Sequence, residues 1–549
     1  MTGYEKVGRG GSFVKVLASL AGLAFLTGLF AVSTRREAVI GQVQNLGAMR
    51  SARFDDLLDG AVAPAGSGVG AGGRALPGPP VAADIAGGFY DRPVRVTLSS
   101  PVEAAIFYTL DGSAATDKST RYVAPVTIDR TALLSFTAKS FDGATGPVER
   151  RAYLIGERDD MPVLSLALDP AFLWNRHSGI YVNPFKRGKG WRRPAQAEYF
   201  EDRHTPPLRF PVQMKIHGNW SRRAGKKSFE LNYTTRGLPP DRNGILVSAG
   251  ESGAQRAAVV RAAAMDLSYR FGDQLFRDLY GAGGGLTSRA VLVRLLLNGE
   301  SWGLYNLHEK INKTFLRRLE GEGGYDLVDR AGYSRSREEA DWNRLLDFFA
   351  THDLSEEKHF ARARRLIDLE NFTDYWLFNI YAANYDWPQS NYYAFRKRAP
   401  EERWRWISWD ADAAFDIGRG LNHDTLTWAT RNELRHDLSY SGDDIDFKHW
   451  LVSTAIIRGL LAHRGYREEF VRRYCELHRD YFEPDLMLTR FQRILDRMQP
   501  HLGADWQRWR SQAAYFKGME SVRRFIRERP AIVLEHFRKR FSPSHCLAH

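Results

Sequence analysis

Residues 384–415 read NYDWPQSNYYAFRKRAPEERWRWISWDADAAF, and what these residues require governs the rest of the chain. The apolar run Leu366 to Ala383 ahead of them has the i, i+3, i+4 spacing of a helix, and Pro388 cannot continue one, so Asp386 and Asn391 fall on a loop. Asn391 to Arg396 and Trp404 to Trp409 read as two short strands. The second ends in Asp410-Ala411-Asp412, whose first acid follows Asn391 by 19 residues. Phosphoryl transfer needs such a set: a carboxylate orients a hydroxyl nucleophile, an amide oxygen holds a metal on the phosphates, and an acid at a strand end is a natural magnesium ligand. The plainer alternative is that Asp386 caps a turn and the later acids pair with arginines.

Upstream, strand-like runs dominate from Met161 to about Leu307. FPVQMKIHG, SFELNY and AVLVRLLLNG carry β-type apolar content, a helix is expected over Tyr269 to Leu279, and Asn298-Gly299 reads as a hairpin turn. Beyond Glu309 the pattern is mainly helical: Leu366 to Ala383, Leu451 to Leu461, Tyr466 to Tyr481, Pro484 to Met498 and Met519 to Phe541. A β-rich lobe thus precedes a helical one. Within the first, the stretch from His217 to Glu230, HGNWSRRAGKKSFE, gives a strand, a polar turn, two lysines and a strand. That layout brings an ammonium and backbone N–H groups to a triphosphate, or else makes a solvated basic hairpin. A second basic run, Lys186 to Arg193, reads as a solvated loop or as a contact for an acidic protein substrate or nucleic acid.

The chain has 549 residues, 78 Lys+Arg against 65 Asp+Glu, 43% apolar residues and 2 Cys. This excludes a disordered chain, a disulfide-stapled miniprotein and a polytopic membrane protein, and the length predicts two to four domains. Cys475 and Cys546 can make at most one bridge. Residues 1–15 form a short basic segment. Val16 to Ser33 carries no formal charge and is long enough to cross a bilayer, so 16–33 is expected to be a transmembrane signal anchor, with a signal peptide cleaved near Ala31-Val32-Ser33 as the alternative. Residues 34–84, rich in Gly, Ala and Pro, read as a flexible linker.

Residues 85–156 switch to short strand-like runs separated by turns such as Asp111-Gly112-Ser113, the pattern of a small β-sandwich. Tyr108-Thr109-Leu110-Asp111-Gly112-Ser113, followed by Tyr122 and Pro125, resembles the signature of fibronectin-III-like modules at the C-terminus of chitobiases. The resemblance implies a spacer, with glycan or acidic-polymer binding as the lesser alternative.

Five stretches in order, HGNWSRRAGKKSFEL, AAMDLSYRFGDQL, LNGESWGLYNLHEKI, NYDWPQSNYYAFR and WISWDADAAF, resemble the CotH family of atypical protein kinases, and Asp-x4-Asn is also the spacing of the protein-kinase catalytic loop. The resemblance implies a kinase-like domain over 160–543 and an α+β, two-lobed architecture preceded by the sandwich and one membrane helix. It further implies ATP and Mg²⁺ as cofactors and transfer of the γ-phosphate to protein Ser or Thr, with a non-catalytic scaffold of the same fold as the alternative. By resemblance Asp386 is the catalytic carboxylate, Asn391 and Asp410 are metal ligands and Asp412 assists. Lys227 becomes the phosphate lysine, with Lys226 as the alternative, Glu309 its ion-pair partner and Arg222 a further nucleotide contact. His308-Glu309 lacks the second histidine of a zincin and no GxSxG elbow is present, which argues against those hydrolases. The expected setting is a single-pass membrane protein whose large domain lies outside the cytoplasm, secreted if the leader is cleaved, acting on protein and not on nucleic acid.

Overall fold

The computed structural model describes residues 78–157, 161–250, 254–262, 271–329, 340–384, 386–388, 390–415, 420–431, 453–509 and 512–541. The chain divides into two compact units, Met1–Arg74 and Ala75–His549. The first unit lies outside the described residues, and so do the expected membrane segment 16–33 and most of the linker. Among the described residues no helix is long and apolar enough to cross a membrane. The second unit is a mixed α+β structure.

Its first part is a sandwich of strands β1 (Ala82–Ala83), β2 (Gly88–Tyr90), β3 (Val94–Val96), β4 (Leu98–Ser99), β5 (Ala104–Thr109), β6 (Thr120–Arg121), β7 (Val126–Ile128), β8 (Ala132–Ser140) and β9 (Glu149–Ile155). A five-stranded sheet of order β2-β9-β8-β5-β6 accompanies two ladders, β1-β4 and β3-β7, and their shared core holds Val96, Ile106, Leu134 and Phe136. Residues 81–84, assigned to the linker from composition, belong to this sandwich: Val81 is buried, β1 pairs with β4, and Asp84 Oδ1 accepts a hydrogen bond from Thr97 N at 2.7 Å. The Asp111-Gly112-Ser113 turn is a packing feature. Asp111 Oδ1 accepts from Ser113 N, and a Cβ on Gly112, at φ 82°, would stand 2.4 Å from Asn298 O. The sandwich therefore docks on the tip of the next hairpin, sharing an apolar cluster of Leu133 and Leu154 with Val163, Phe200 and Leu296.

Seven further strands close into a barrel: β10 (Val163–Ala167), β11 (Arg193–Phe200), β12 (Leu208–His217), β13 (Ser228–Thr234), β14 (Gln255–Arg261), β15 (Ala290–Leu297) and β16 (Glu300–Glu309). Its order is β10-β11-β12-β13-β14-β16-β15, closed by a parallel β10-β15 pairing. Closure leaves no unpaired edge. Asn298 (φ 51°) and Gly299 (φ 81°) turn β15 into β16 as the sequence predicts. β12 shows why the barrel forms: Leu208, Phe210, Val212, Met214 and Ile216 are buried inside it, and the residues between them point outward.

The rest is mainly helical. Helices Gly272–Ala282, Lys313–Glu320, Ala340–Thr351, Glu357–Leu366, Leu369–Ala382, Thr425–Thr430, Ala455–Ala462, Arg464–Asp480, Pro484–Met498, Leu502–Arg508 and Gln512–Arg540 surround a small sheet of β17 (Tyr325–Val328), β18 (Tyr392–Lys397) and β19 (Arg405–Ser408). Leu369–Ala382 is the core element: Asp368 caps its first turn, and all but its first three residues are buried. Ala383, left-handed at φ 49°, ends it and releases the loop that carries Asp386. Cys475 is disulfide-bonded, and Cys546 lies outside the described residues.

The lysine pair before β13 is structural, which corrects the expectation for Lys227. Lys227 Nζ donates to the carbonyls of Arg222 and Ala224 at 3.0 and 2.9 Å and sits 5.2 Å from the centre of the Tyr181 ring. Arg222 is equally committed, donating to the carbonyls of Gly218, Pro184 and Ile216. Lys226 turns the other way: it pairs with Asp505 at 2.9 Å, bonds Leu304 O, and so ties the helical part to β16.

Burial pushes the Lys227 ammonium down from 10.5 to about 8, with the Arg222 charge adding to the effect. Below pH 8 both folded and unfolded chains hold the proton and the buried charge costs its full amount. Between pH 8 and 10.5 the unfolded chain binds more protons, so stability rises with pH. Urea unfolding of the wild type and Lys227→Met is expected to show the wild type gaining on the order of 3 kcal/mol relative to the variant across that window. A phosphate-binding lysine would instead show itself as a variant without nucleotide affinity.

Candidate active site

The site grows from the outward face of four neighbouring barrel strands. Register places Lys215 opposite Glu230, Glu230 opposite Val259 and Val259 opposite His308. Two residues along, His217 pairs with Ser228 and Arg261 with Asn306. Side chains alternate along a strand, so Lys215, His217, Glu230, Arg261, Asn306 and His308 share one face, back to back with the apolar barrel interior. Glu230 organises its cations: Lys310 lies 2.8 Å, Lys215 3.1 Å and His217 3.5 Å from its carboxylate. Burial pushes the Glu230 carboxyl up, but the His217 hydrogen bond and the two ammonium groups outweigh it and hold it well below the usual range.

Against this face come the two loops from the helical part. Asn391, at φ 59°, donates its amide N–H groups to Asp386 Oδ2 at 3.4 Å and to Asp410 O at 3.3 Å. One side chain thus joins the loop after helix Leu369–Ala382 to the loop after β19. The first loop is anchored by Trp387, fully buried with its ring centre 4.6 Å from that of Trp376. Three bonds hold the second: Ser408 N to Leu286 O at 2.9 Å, Ala411 N to Asp273 Oδ1 at 2.9 Å, and Phe415 N to Ala382 O at 2.9 Å. Asp273 also lies 3.6 Å from His308 Nε2. The His308 imidazole is held neutral, first by burial and then by the charges of Arg277 and Arg261.

Arg261 stands between the acids. It donates to Asp410 Oδ1, lies 3.5 Å from Asp412 Oδ2, and stacks over the Trp409 ring at 5.1 Å. Burial pushes both carboxyls up. For Asp410 the guanidinium wins and the pKa falls below its usual value, whereas Asp412, buried and facing the Asp410 charge, is pushed well above it. The two acids therefore share a proton. Among the described residues no group of three or more His, Cys, Asp or Glu is placed to hold a metal ion; the set here is two carboxylates and an amide. Magnesium is commonly bound through one or two carboxylates, with phosphates and water completing its shell. An acid pair with one half-buried and one buried carboxyl, whose proton a cation can replace, fits that ion.

Of the residues expected from sequence, Asp386, Asn391, Asp410 and Asp412 come together. Lys227 and Arg222 do not reach this face with their charged groups. Glu309 is buried and pairs with Arg256 at 3.0 Å and Arg318 at 2.7 Å, so it is not the partner of Lys227. Sequence reasoning missed Arg261, Glu230, Lys215, His217, Lys310, Asp273 and His308. The signal was there: FPVQMKIHG and SFELNY alternate, and reading their polar residues as one outward face would have found Lys215, His217 and Glu230.

The model of the CotH kinase protein family matches residues 214–533, which include all seven residues singled out from sequence. The chitobiase/beta-hexosaminidase C-terminal domain matches residues 85–149. A similar curated protein is invasin CotH2 of Rhizopus delemar, 22% identical over 267 residues, with 43% of this chain and 43% of that protein covered. The chain therefore spans under half the length of this relative. The first match takes in more than half of the chain, which belongs to the CotH kinase protein family.

Proposed function

We propose that the protein is a kinase that transfers the γ-phosphoryl group of ATP to Ser or Thr hydroxyls of proteins. The observation that carries this reading is the convergence of Asp386, Asn391 and the Asp410–Asp412 pair, with one amide bonded to both loops. Magnesium-bound ATP would bring the transferable phosphoryl group and charge neutralisation at its phosphates. Asn391, Asp410 and Asp412 would hold the ion. Asp386 orients the acceptor hydroxyl and takes its proton. Lys215 and Lys310, held by Glu230, take the part that the resemblance implies for Lys227, facing the phosphates, and Arg261 keeps the acid pair neutralised when no cation is bound. The architecture then corresponds to two kinase-like lobes, the barrel and the helical part. With residues 16–33 as a membrane anchor, the large domain would act outside the cytoplasm.

A non-catalytic scaffold has one observation in its favour. Arg261 already neutralises Asp410, so the acids need no metal to be stable. Incubating the purified chain with labelled ATP, Mg²⁺ and a cell-envelope extract separates the readings, since a scaffold transfers no label.

Asp386→Ala is expected to lower kcat by about 10²–10⁴-fold, the usual worth of a positioned acid–base group, with little change in Tm. Equal turnover by variant and wild type removes the role. The two glutamates are expected to behave oppositely. Glu230→Gln raises KM for ATP, because Lys215 and Lys310 lose the group that places them. Glu309→Gln leaves that KM unchanged but destabilises the fold by about 3–5 kcal/mol, as breaking a buried ion pair does. Steady-state kinetics and urea unfolding on both variants check this.

A further inference from the structure

Between Asp169 and Glu198 the chain carries Arg176, Lys186, Arg187, Lys189, Arg192 and Arg193 and no acidic residue. The middle of this stretch is an exposed loop: Lys186, Arg187 and Lys189 are open to solvent, beside Phe185 and Val182, which are 55% and 48% exposed. Among the described residues none of these three cations has a carboxylate partner. From these observations we infer that the loop docks an acidic segment of the protein acceptor at the rim of the active site. The inference rests on the kinase reading for the word acceptor, and on the loop itself for the rest.

The loop is built and fixed in place. Arg187 Nη2 donates to Asn219 Oδ1 at 2.8 Å, Arg222 reaches across to Pro184 O, and Tyr181 donates its hydroxyl to Gly225 O at 2.6 Å. At its far end Arg193 binds the carbonyls of Ser178 and Gly190 and stacks on Trp191 at 5.3 Å. These bonds hold the cations on one side of the His217–Lys227 turn. Asn219 is two residues from His217, at most about 7 Å of chain, and the His217 ring centre is 6.2 Å from that of Trp409, the neighbour of Asp410. A segment held by Lys186, Arg187 and Lys189 is therefore tethered on the barrel side of the site, one turn away from the His217–Trp409 contact, which raises the acceptor's effective concentration near it.

Charge complementarity selects the partner. Glu or Asp side chains meet the three cations, and an apolar side chain of the same segment covers Phe185 and Val182. Nucleic acid asks for a longer basic track that neutralises several phosphates in a row.

The test uses the full chain and two fluorescent Ser-containing peptides of equal length, one with Glu, Asp and a single Phe around the serine, the other with Gln and Asn in place of the acids. The acidic peptide is expected to bind about tenfold tighter at low salt and to lose that advantage in high salt. The advantage is also lost in Lys186→Glu/Arg187→Glu/Lys189→Glu, and is halved or more in Lys186→Gln/Lys189→Gln, which leaves the Arg187–Asn219 bond intact. In phosphorylation assays both variants raise KM for the acidic peptide and leave kcat on the neutral one unchanged. Equal binding of the two peptides overturns the proposal, as does a variant that loses only single-stranded DNA or anionic vesicles. Charge-dependent peptide binding without phosphorylation keeps the docking loop and removes the kinase reading. Phosphorylation without charge preference does the reverse.

Discussion

Everything at this site depends on two acids, Asp412 buried and Asp410 half-buried, sharing one guanidinium. Asp410 and Asp412 are separated by a single residue; Arg261 at the end of β14 keeps Asp410 charged, while Asp412, buried beside that charge, is pushed toward its protonated form. The requirement propagates outward. The loop that carries the acids is held through its backbone, with Asp273, Leu286 and Ala382 as partners. Asp410 itself sits at φ 62° and Asn391 at φ 59°, conformations that cost non-glycine residues energy and persist only where surrounding bonds over-determine them. At Asn391 and Asp410 those bonds are the Asn391 amide to Asp386 and to Asp410 O, and the Arg261 guanidinium to the Asp410 carboxylate.

The arginine also explains why the barrel has a polar outer face. A strand that buries Ile216, Phe229, Val260 and Leu307 toward the barrel interior must point its alternate residues the other way. At β12, β13, β14 and β16 those alternates are His217, Glu230, Arg261 and His308. Such residues are expensive to cover with helices unless each finds a partner. The helical part supplies Asp410 and Asp412 for Arg261, and sets Asp273 of helix Gly272–Ala282 at 3.6 Å from the neutral His308 ring. The polar chemistry of the site and the docking of the two parts are therefore one set of contacts seen from two sides.

The local patterns were legible and the closure was not. Helix Pro484–Met498 and the turn at Asn298-Gly299 follow directly from period and turn chemistry. The expected helix start at Met519 compares with Gln512, a shift that arises because helix ends depend on capping contacts that periodicity does not report, whereas Tyr269 and Leu451 lie outside the described residues. β10, β11, β14 and β17 were missed: β17 is defined by β18, a partner distant in sequence, whereas β11 forms a hairpin with the adjacent β12. The acids were found because phosphoryl transfer names its residue types. The cations were mislaid because two adjacent lysines look interchangeable. Their contacts separate them: Lys227 packs over Tyr181, while Lys226 passes over Tyr305 to reach Leu304 and Asp505.

That last pair bears on how the site keeps its shape. Lys226 and Asp505 are both nearly inaccessible to solvent, and a buried ion pair of this kind rarely adds net stability, since the cost of removing two charges from water offsets their attraction. Its effect is on placement. Asp505 also accepts the Leu304 N–H, and Gly303 passes so close that any Cβ there would lie 2.5 Å from the carboxylate. An apolar contact could slide by a fraction of a residue without penalty. A carboxylate that must satisfy an ammonium and a backbone N–H at once has one acceptable position. Helix Leu502–Arg508 is thereby registered on β16, the strand that carries Asn306 and His308, and the face that meets the acid pair is held to the helical part by a contact whose energy depends on geometry more than on area.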